Sequence, residues 1–152
     1  MLFRSRLYVE KELIGVENCE ILVIAGQGTI GLEILDQLPD VDAVVVPVGG
    51  GGLISGVAFA IKSLRPEVKV YGVQAEGAPS MYRSLHEHKY QTLKAASTFA
   101  DGIQVKTPGE LTYQICEQYV DDIVTVTEDE TDRKSTRLNS SHITRSRMPS
   151  SA

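Results

Sequence analysis

The sequence predicts an open, parallel α/β sheet, and three observations carry that prediction. Ile21-Leu22-Val23-Ile24-Ala25, Ala43-Val44-Val45-Val46-Pro47-Val48 and Val68-Lys69-Val70-Tyr71-Gly72-Val73 are short, β-branched, largely apolar runs of strand length. Strands buried on both faces of a parallel sheet look like this. Helical patterns separate the runs, so βαβ crossovers, right-handed by rule, would join the strands. A 152-residue chain that is 42% hydrophobic and 23% charged can bury such a core, which excludes disorder throughout. The expected architecture is three-layered, with helices flanking the sheet.

The elements follow in order. After the first run comes Gly26-Gln27-Gly28-Thr29, and then Ile30, Ile34, Leu35 and Leu38 fall on one helical face that Pro39 terminates. The second run closes in Gly49-Gly50-Gly51-Gly52, and residues 53–64 read as a helix with Pro66 beyond it. The third strand is followed by a helix over 78–88 and a loop to Ala100-Asp101-Gly102. Pro108 opens a helix over 111–119, a favoured place for proline. Asp122-Ile123-Val124-Thr125-Val126 is a last strand, and Thr127-Glu128-Asp129-Glu130 is a helix-start signal.

Composition narrows the function. No apolar run approaches the roughly 20 residues of a membrane span, and no signal-peptide pattern opens the chain. Cys19 and Cys116 form neither a disulfide framework nor a metal spacing, so a cytoplasmic protein with reduced thiols is expected. A formal charge of −5 argues against a nucleic-acid partner. That charge is unevenly spread. Net charges of +4 from Thr131 onward and +2 in the first six residues leave −11 for residues 7–130. The division expected is a distinct flank over 1–20, a partial α/β domain over 21–130, and a disordered, non-native tail over 131–152.

Two glycine clusters are candidates for ligand binding. Gly26-Gln27-Gly28-Thr29-Ile30-Gly31 satisfies the dinucleotide fingerprint GxGxxG. That motif needs an acid about 20 residues on to hold a ribose hydroxyl, and Pro47-Val48-Gly49 stands there instead. Packing of a strand on a helix accounts better for these glycines. The second cluster, Gly49-Gly50-Gly51-Gly52-Leu53, lies where a strand passes into a helix, the place where open α/β sheets bind ligands. Several backbone N–H groups can converge there on one anion, backed by the helix dipole. No Walker-type lysine follows, so a phosphate monoester suits the loop better than a nucleoside triphosphate.

These motifs carry a resemblance. Leu22-Val23-Ile24-Ala25-Gly26-Gln27-Gly28-Thr29, Val46-Pro47-Val48-Gly49-Gly50-Gly51-Gly52-Leu53, Ala100-Asp101-Gly102-Ile103 and the stretch from Val120 to Glu130 resemble the threonine dehydratase and serine racemase family. These are pyridoxal-phosphate enzymes of the tryptophan-synthase-β fold type. Gly72-Val73-Gln74-Ala75-Glu76 with Met81-Tyr82 is more similar to catabolic threonine dehydratases. The resemblance implies that Gly49, Gly50, Gly51, Gly52 and Leu53 hold the 5′-phosphate of pyridoxal phosphate, and that Gly102 lies beside its ring. It implies an amino-acid substrate, elimination of a β-hydroxyl to give a 2-oxo acid and ammonia, and a homo-oligomeric parent without nucleic-acid or membrane partners. Glu76 matches a carboxylate that ligates a divalent cation in some members, but its partner position holds Tyr82, a poor ligand for a hard cation. His86-Glu87-His88 reads as a surface helix end.

The family's cofactor-carrying lysine lies N-terminal to anything matched here, and none of Lys62, Lys69, Lys89, Lys94 or Lys106 sits in a matching motif. No catalytic residue is therefore assigned, and the chain is expected to be an inactive internal fragment of a threonine/serine ammonia-lyase. The alternatives are a serine racemase fragment, an NAD-binding oxidoreductase domain at the Gly26 cluster, and a non-catalytic ligand-binding module.

Overall fold

The structure is a computed structural model that describes residues 19–131. The flanks at 1–18 and 132–152, with most of the two terminal segments set apart above, lie outside the described residues. The elements are α1 (Cys19–Gln37), β1 (Ala43–Pro47), α2 (Gly52–Leu64), β2 (Lys69–Ala75), α3 (Ser80–His86), a 3-10 turn (Asp101–Ile103), α4 (Glu110–Tyr119) and β3 (Asp122–Val126). The three strands form one parallel sheet in the order β1-β2-β3. Its register sets Val46 beside Gly72 and Gly72 beside Ile123.

Val46, Val70 and Ile123 pack with Ile54, Val57, Ala58 and Ile61 of α2, Met81 of α3 and Cys116 of α4 in one buried cluster. Removing these side chains from water is the main favourable term in this fold. Val45, on the opposite pleat, is 63% exposed and Val124 is 46% exposed. The described helices thus cover one face of the sheet, and α1 stacks on α2 as an outer layer.

One element differs in kind from the sequence expectation. Residues 21–25 are helical, and α1 runs unbroken through Gly26, Gly28 and Gly31. Tertiary packing overrides the β-branched composition. A Cβ at Gly28 would stand 3.3 Å from the Gly56 carbonyl oxygen, and one at Gly31 would stand 2.9 Å from that of Val57. Gly56 returns the contact, since its Cβ would be 2.7 Å from the Gly28 nitrogen. Small residues let the two helices touch backbone to backbone. There is no strand-to-helix turn at Gly26 to receive a pyrophosphate, which removes the basis for an NAD site there. Gly28 and Gly31 do serve packing, but of helix on helix rather than strand on helix, while Gly26 faces open space. Gly31→Val is expected to cost about 1–3 kcal/mol by overpacking, readable as a lowered Tm.

At the opposite end of the sheet from the glycine loop, Asp121 pairs with Lys62 at 2.7 Å and with Lys69 at 2.9 Å, and accepts the Val70 N–H at 2.8 Å. It ties α2 and β2 to the start of β3. Partial burial opposes its ionisation, but Lys62, the Val70 N–H and Lys69 outweigh that and bring its pKa from 3.8 to about 2. A lowered folded value stabilises the fold fully above the unfolded value and is lost as pH falls toward about 2. Asp121→Asn is expected to lower Tm at pH 7 by about 2–4 °C, the scale of about 1 kcal/mol. The gap between variant and wild type should close near pH 2; thermal scans across pH check it.

Candidate functional site

β1 delivers the chain to the site. The Val48 N–H still reaches the Val73 carbonyl at 2.8 Å, and the ladder then gives way to Gly49, Gly50 and Gly51 before α2 begins at Gly52. Gly51 caps the helix at φ 96°, with no side-chain cap. Left-handed backbone at this position favours glycine. A Cβ on Gly51 would collide with Met81 Cε and stand 2.9 Å from Thr112 Oγ1. Space and conformation therefore both demand glycine here.

The first N–H groups of a helix have no intrahelical partner. Among the described residues no acceptor takes the N–H of Gly49, Gly50, Gly51, Gly52 or Leu53. The Leu53 side chain packs against the core, so its contribution to a ligand is its backbone. N–H groups without a described acceptor, a glycine cap and the positive end of the α2 dipole are the features that anion sites at helix N-termini use.

The structure brings the Ala100–Ile103 motif to this loop. An ideal Cβ on Gly49 would lie 3.1 Å from the Ile103 Cα. Gly102, in the 3-10 turn, faces open space, with nothing within 4 Å of where a Cβ would stand. A cavity of about 620 Å³ borders the loop at Gly50 and Gly52, with Val23, Tyr90, Thr107 and Thr112 in its walls. Glu20 and Glu110 also line it, and among the described residues no lysine does. Glu110 stands in the first turn of α4, where the dipole favours an acid.

Two residues that the motifs do not reveal hold the loop. Thr112 donates its hydroxyl to the Gly50 carbonyl at 2.6 Å, and the Gly109 N–H reaches the same oxygen at 3.1 Å. Gln74, fully buried, donates through Nε2 to the Gly49 carbonyl at 3.3 Å and accepts the Tyr82 N–H at 2.8 Å. Their only signal in the sequence is polarity inside apolar elements.

Other candidates sit elsewhere. Glu76 is exposed just past β2, its N–H bonded to the Val126 carbonyl. His86 Nε2 is 3.5 Å from Asp122 Oδ1, and His88, at φ 47°, is 3.5 Å from Glu117. Among the described residues no group of three His, Cys, Asp or Glu side chains is placed to hold a metal. Burial pushes the Cys116 thiol up to about 12, so it is a core residue and no nucleophile. No described helix is long and apolar enough to cross a membrane.

An α/β chain whose strand passes through a glycine cradle into a helix N-terminus is built like the phosphate-anchoring part of a cofactor enzyme. The chain belongs to the pyridoxal-phosphate dependent enzyme family, whose model matches residues 9–143. It is 61% identical over 108 residues to the L-threonine ammonia-lyase of Thermotoga maritima, which covers 71% of this chain and 27% of that protein. It is 56% identical over 108 residues to the catabolic L-threonine dehydratase TdcB of Escherichia coli K12, covering 71% of this chain and 33% of that one. The processed form of threonine deaminase isoform 2 from Solanum lycopersicum superposes with a TM-score of 0.68 at 50% identity, over 70% of this chain and 31% of that structure. The chain thus spans about a quarter to a third of the length of these two curated relatives. The family's cofactor is pyridoxal phosphate, and a phosphate monoester fits the cradle: the N–H groups are unpaired and the one position with left-handed backbone carries no Cβ.

Proposed function

We propose that this chain is the phosphate-anchoring segment of a pyridoxal-phosphate-dependent threonine/serine ammonia-lyase. The observation that carries the reading is the loop 49–53, whose N–H groups have no described acceptor at the N-terminus of α2. In this reading Gly49, Gly50, Gly51, Gly52 and Leu53 hold the 5′-phosphate through the backbone, and Gly102 leaves room for the ring. When bound, pyridoxal phosphate supplies an electron sink for the α-carbon of an amino acid. The residues of this chain bind and orient. No described lysine lines the cavity beside the loop, and Lys62 and Lys69 are paired with Asp121 at the other end of the sheet, so this reading gives them no part in moving a proton.

Elimination is preferred to racemisation because both curated relatives described above are named for loss of ammonia or water from threonine. The substrate is a small hydroxy amino acid, the setting is cytoplasmic, and the parent is a homo-oligomer. A divalent cation has no role in this account, since Tyr82 offers no second carboxylate beside Glu76. In this reading residues 21–130 form the anchoring domain, and α1 carries it back to Cys19 among the described residues. A longer polypeptide that contains this segment should convert threonine to 2-oxobutanoate and ammonia. Serine racemisation without any 2-oxo acid would overturn the reading.

A further inference from the structure

A loop of four glycines exposes carbonyl oxygens as readily as N–H groups, and a carbonyl turned toward a phosphate repels it. The loop avoids this. The Gly50 carbonyl accepts from Thr112 Oγ1 at 2.6 Å and from the Gly109 N–H at 3.1 Å, and the Gly49 carbonyl accepts from Gln74 Nε2 at 3.3 Å. Thr112 is 5% exposed and Gln74 is fully buried, so water does not compete for either contact. The Thr112 hydroxyl has one proton, and the Gly109 carbonyl at 3.0 Å is its longer alternative. Gln74 is held in turn by the Tyr82 N–H of α3, while Met81 of the same helix lies where a Gly51 Cβ would go.

We infer that Thr112 and Gln74 are positioning residues of the anion cradle. They draw the Gly50 and Gly49 carbonyls back, and the N–H groups of the loop are left as the polar face a phosphate meets. A glycine loop loses more conformational freedom on ordering than any other, and these contacts order it before the ligand arrives. α4 and β2 therefore act on phosphate affinity without touching the phosphate. The inference rests on the reading that residues 49–53 bind a phosphate.

The test uses the 152-residue chain, with inorganic phosphate, pyridoxal phosphate and unphosphorylated pyridoxal as probes. Binding is read from the backbone amide shifts of residues 49–53. Thr112→Val removes the hydroxyl at nearly constant shape, and Thr112→Ser restores it. Gln74→Glu keeps an acceptor for Tyr82 but loses the donor to Gly49. Thr112→Val and Gln74→Glu should each weaken both phosphate probes by about fivefold, the scale of one net hydrogen bond. Thr112→Ser should stay within about twofold of wild type, and the response to pyridoxal should not move. Equal weakening by Thr112→Val and Thr112→Ser, or unchanged phosphate affinity in Thr112→Val, overturns the inference. If wild type shows no phosphate-dependent shift in residues 49–53, the phosphate reading itself falls and takes this inference with it. Should Thr112→Val fail to fold, Gln74→Glu against wild type decides alone.

Discussion

Gly51→Asp is expected to abolish saturable binding of pyridoxal phosphate, raising the dissociation constant well over tenfold. Three effects add in one direction. A non-glycine residue at φ 96° is strained by about 1–2 kcal/mol. Its Cβ runs into Met81 and Thr112, the side chains packed against the loop. Its carboxylate then stands among the N–H groups that would receive the phosphate, where like charges repel. Gly28→Asp is the matched control. It places the same charge in the crossing of α1 and α2, on a Cβ that stands 3.3 Å from the Gly56 carbonyl oxygen, and should lower Tm while changing cofactor affinity much less. Equal dissociation constants for wild type and Gly51→Asp would remove the loop from the cofactor site.

The second large effect is an absence of turnover. The chain mixed with pyridoxal phosphate and threonine should produce 2-oxobutanoate no faster than free cofactor does. This chemistry needs a lysine to carry the cofactor and move the α-proton. Among the described residues the cavity beside the loop has none in its walls, and Lys62 and Lys69 are committed to Asp121. Borohydride reduction followed by peptide mapping provides an independent check. One lysine labelled stoichiometrically, or turnover above free cofactor, would contradict the account.

Much of this molecule was legible in its sequence, and the failures have physical causes. β1, β2 and β3 lie within two residues of their expected ends, because short β-branched runs bounded by glycine, proline or charge have few other uses. α2 was legible from its start after the glycines and its stop before Pro66. The run Ile21–Ala25 was misread because its composition favours a strand and GxGxxG follows it. What makes it helical is contact with α2 through Gly28 and Gly31, and Ile21, Ile24, Ala25, Gly28 and Leu32 share the side that borders Gly56 and Ala60. Their spacing of three, one, three and four is helical, but glycine counts for nothing in a hydrophobic pattern.

The site divides in the same way. Residues 49–53 were legible because consecutive glycines mark a backbone whose shape matters more than its side chains. Gly102 was legible only through the resemblance, and the fold sets its turn against Gly49. Thr112 and Gln74 were invisible. Each acts on a backbone carbonyl far away in sequence, Thr112 on Gly50 and Gln74 on Gly49, and a carbonyl leaves no mark on its partner's residue type. The helix-start signal at Thr127 proved real: its hydroxyl and N–H both bond Glu130 Oε2, at 3.0 and 2.9 Å.

The central claim is that a phosphate, and only a phosphate-bearing ligand, is held by the backbone N–H groups at the start of α2. Residue-resolved amide shifts during parallel titrations with pyridoxal phosphate, pyridoxal and NAD test it most directly. The account predicts saturable shifts of Gly49, Gly50, Gly51, Gly52 and Leu53 with pyridoxal phosphate, none of that pattern with pyridoxal, and none centred on Gly26–Gly31 with NAD. Shifts that gather at Gly26, Gly28 and Gly31, or that are the same with and without the phosphate, would contradict it.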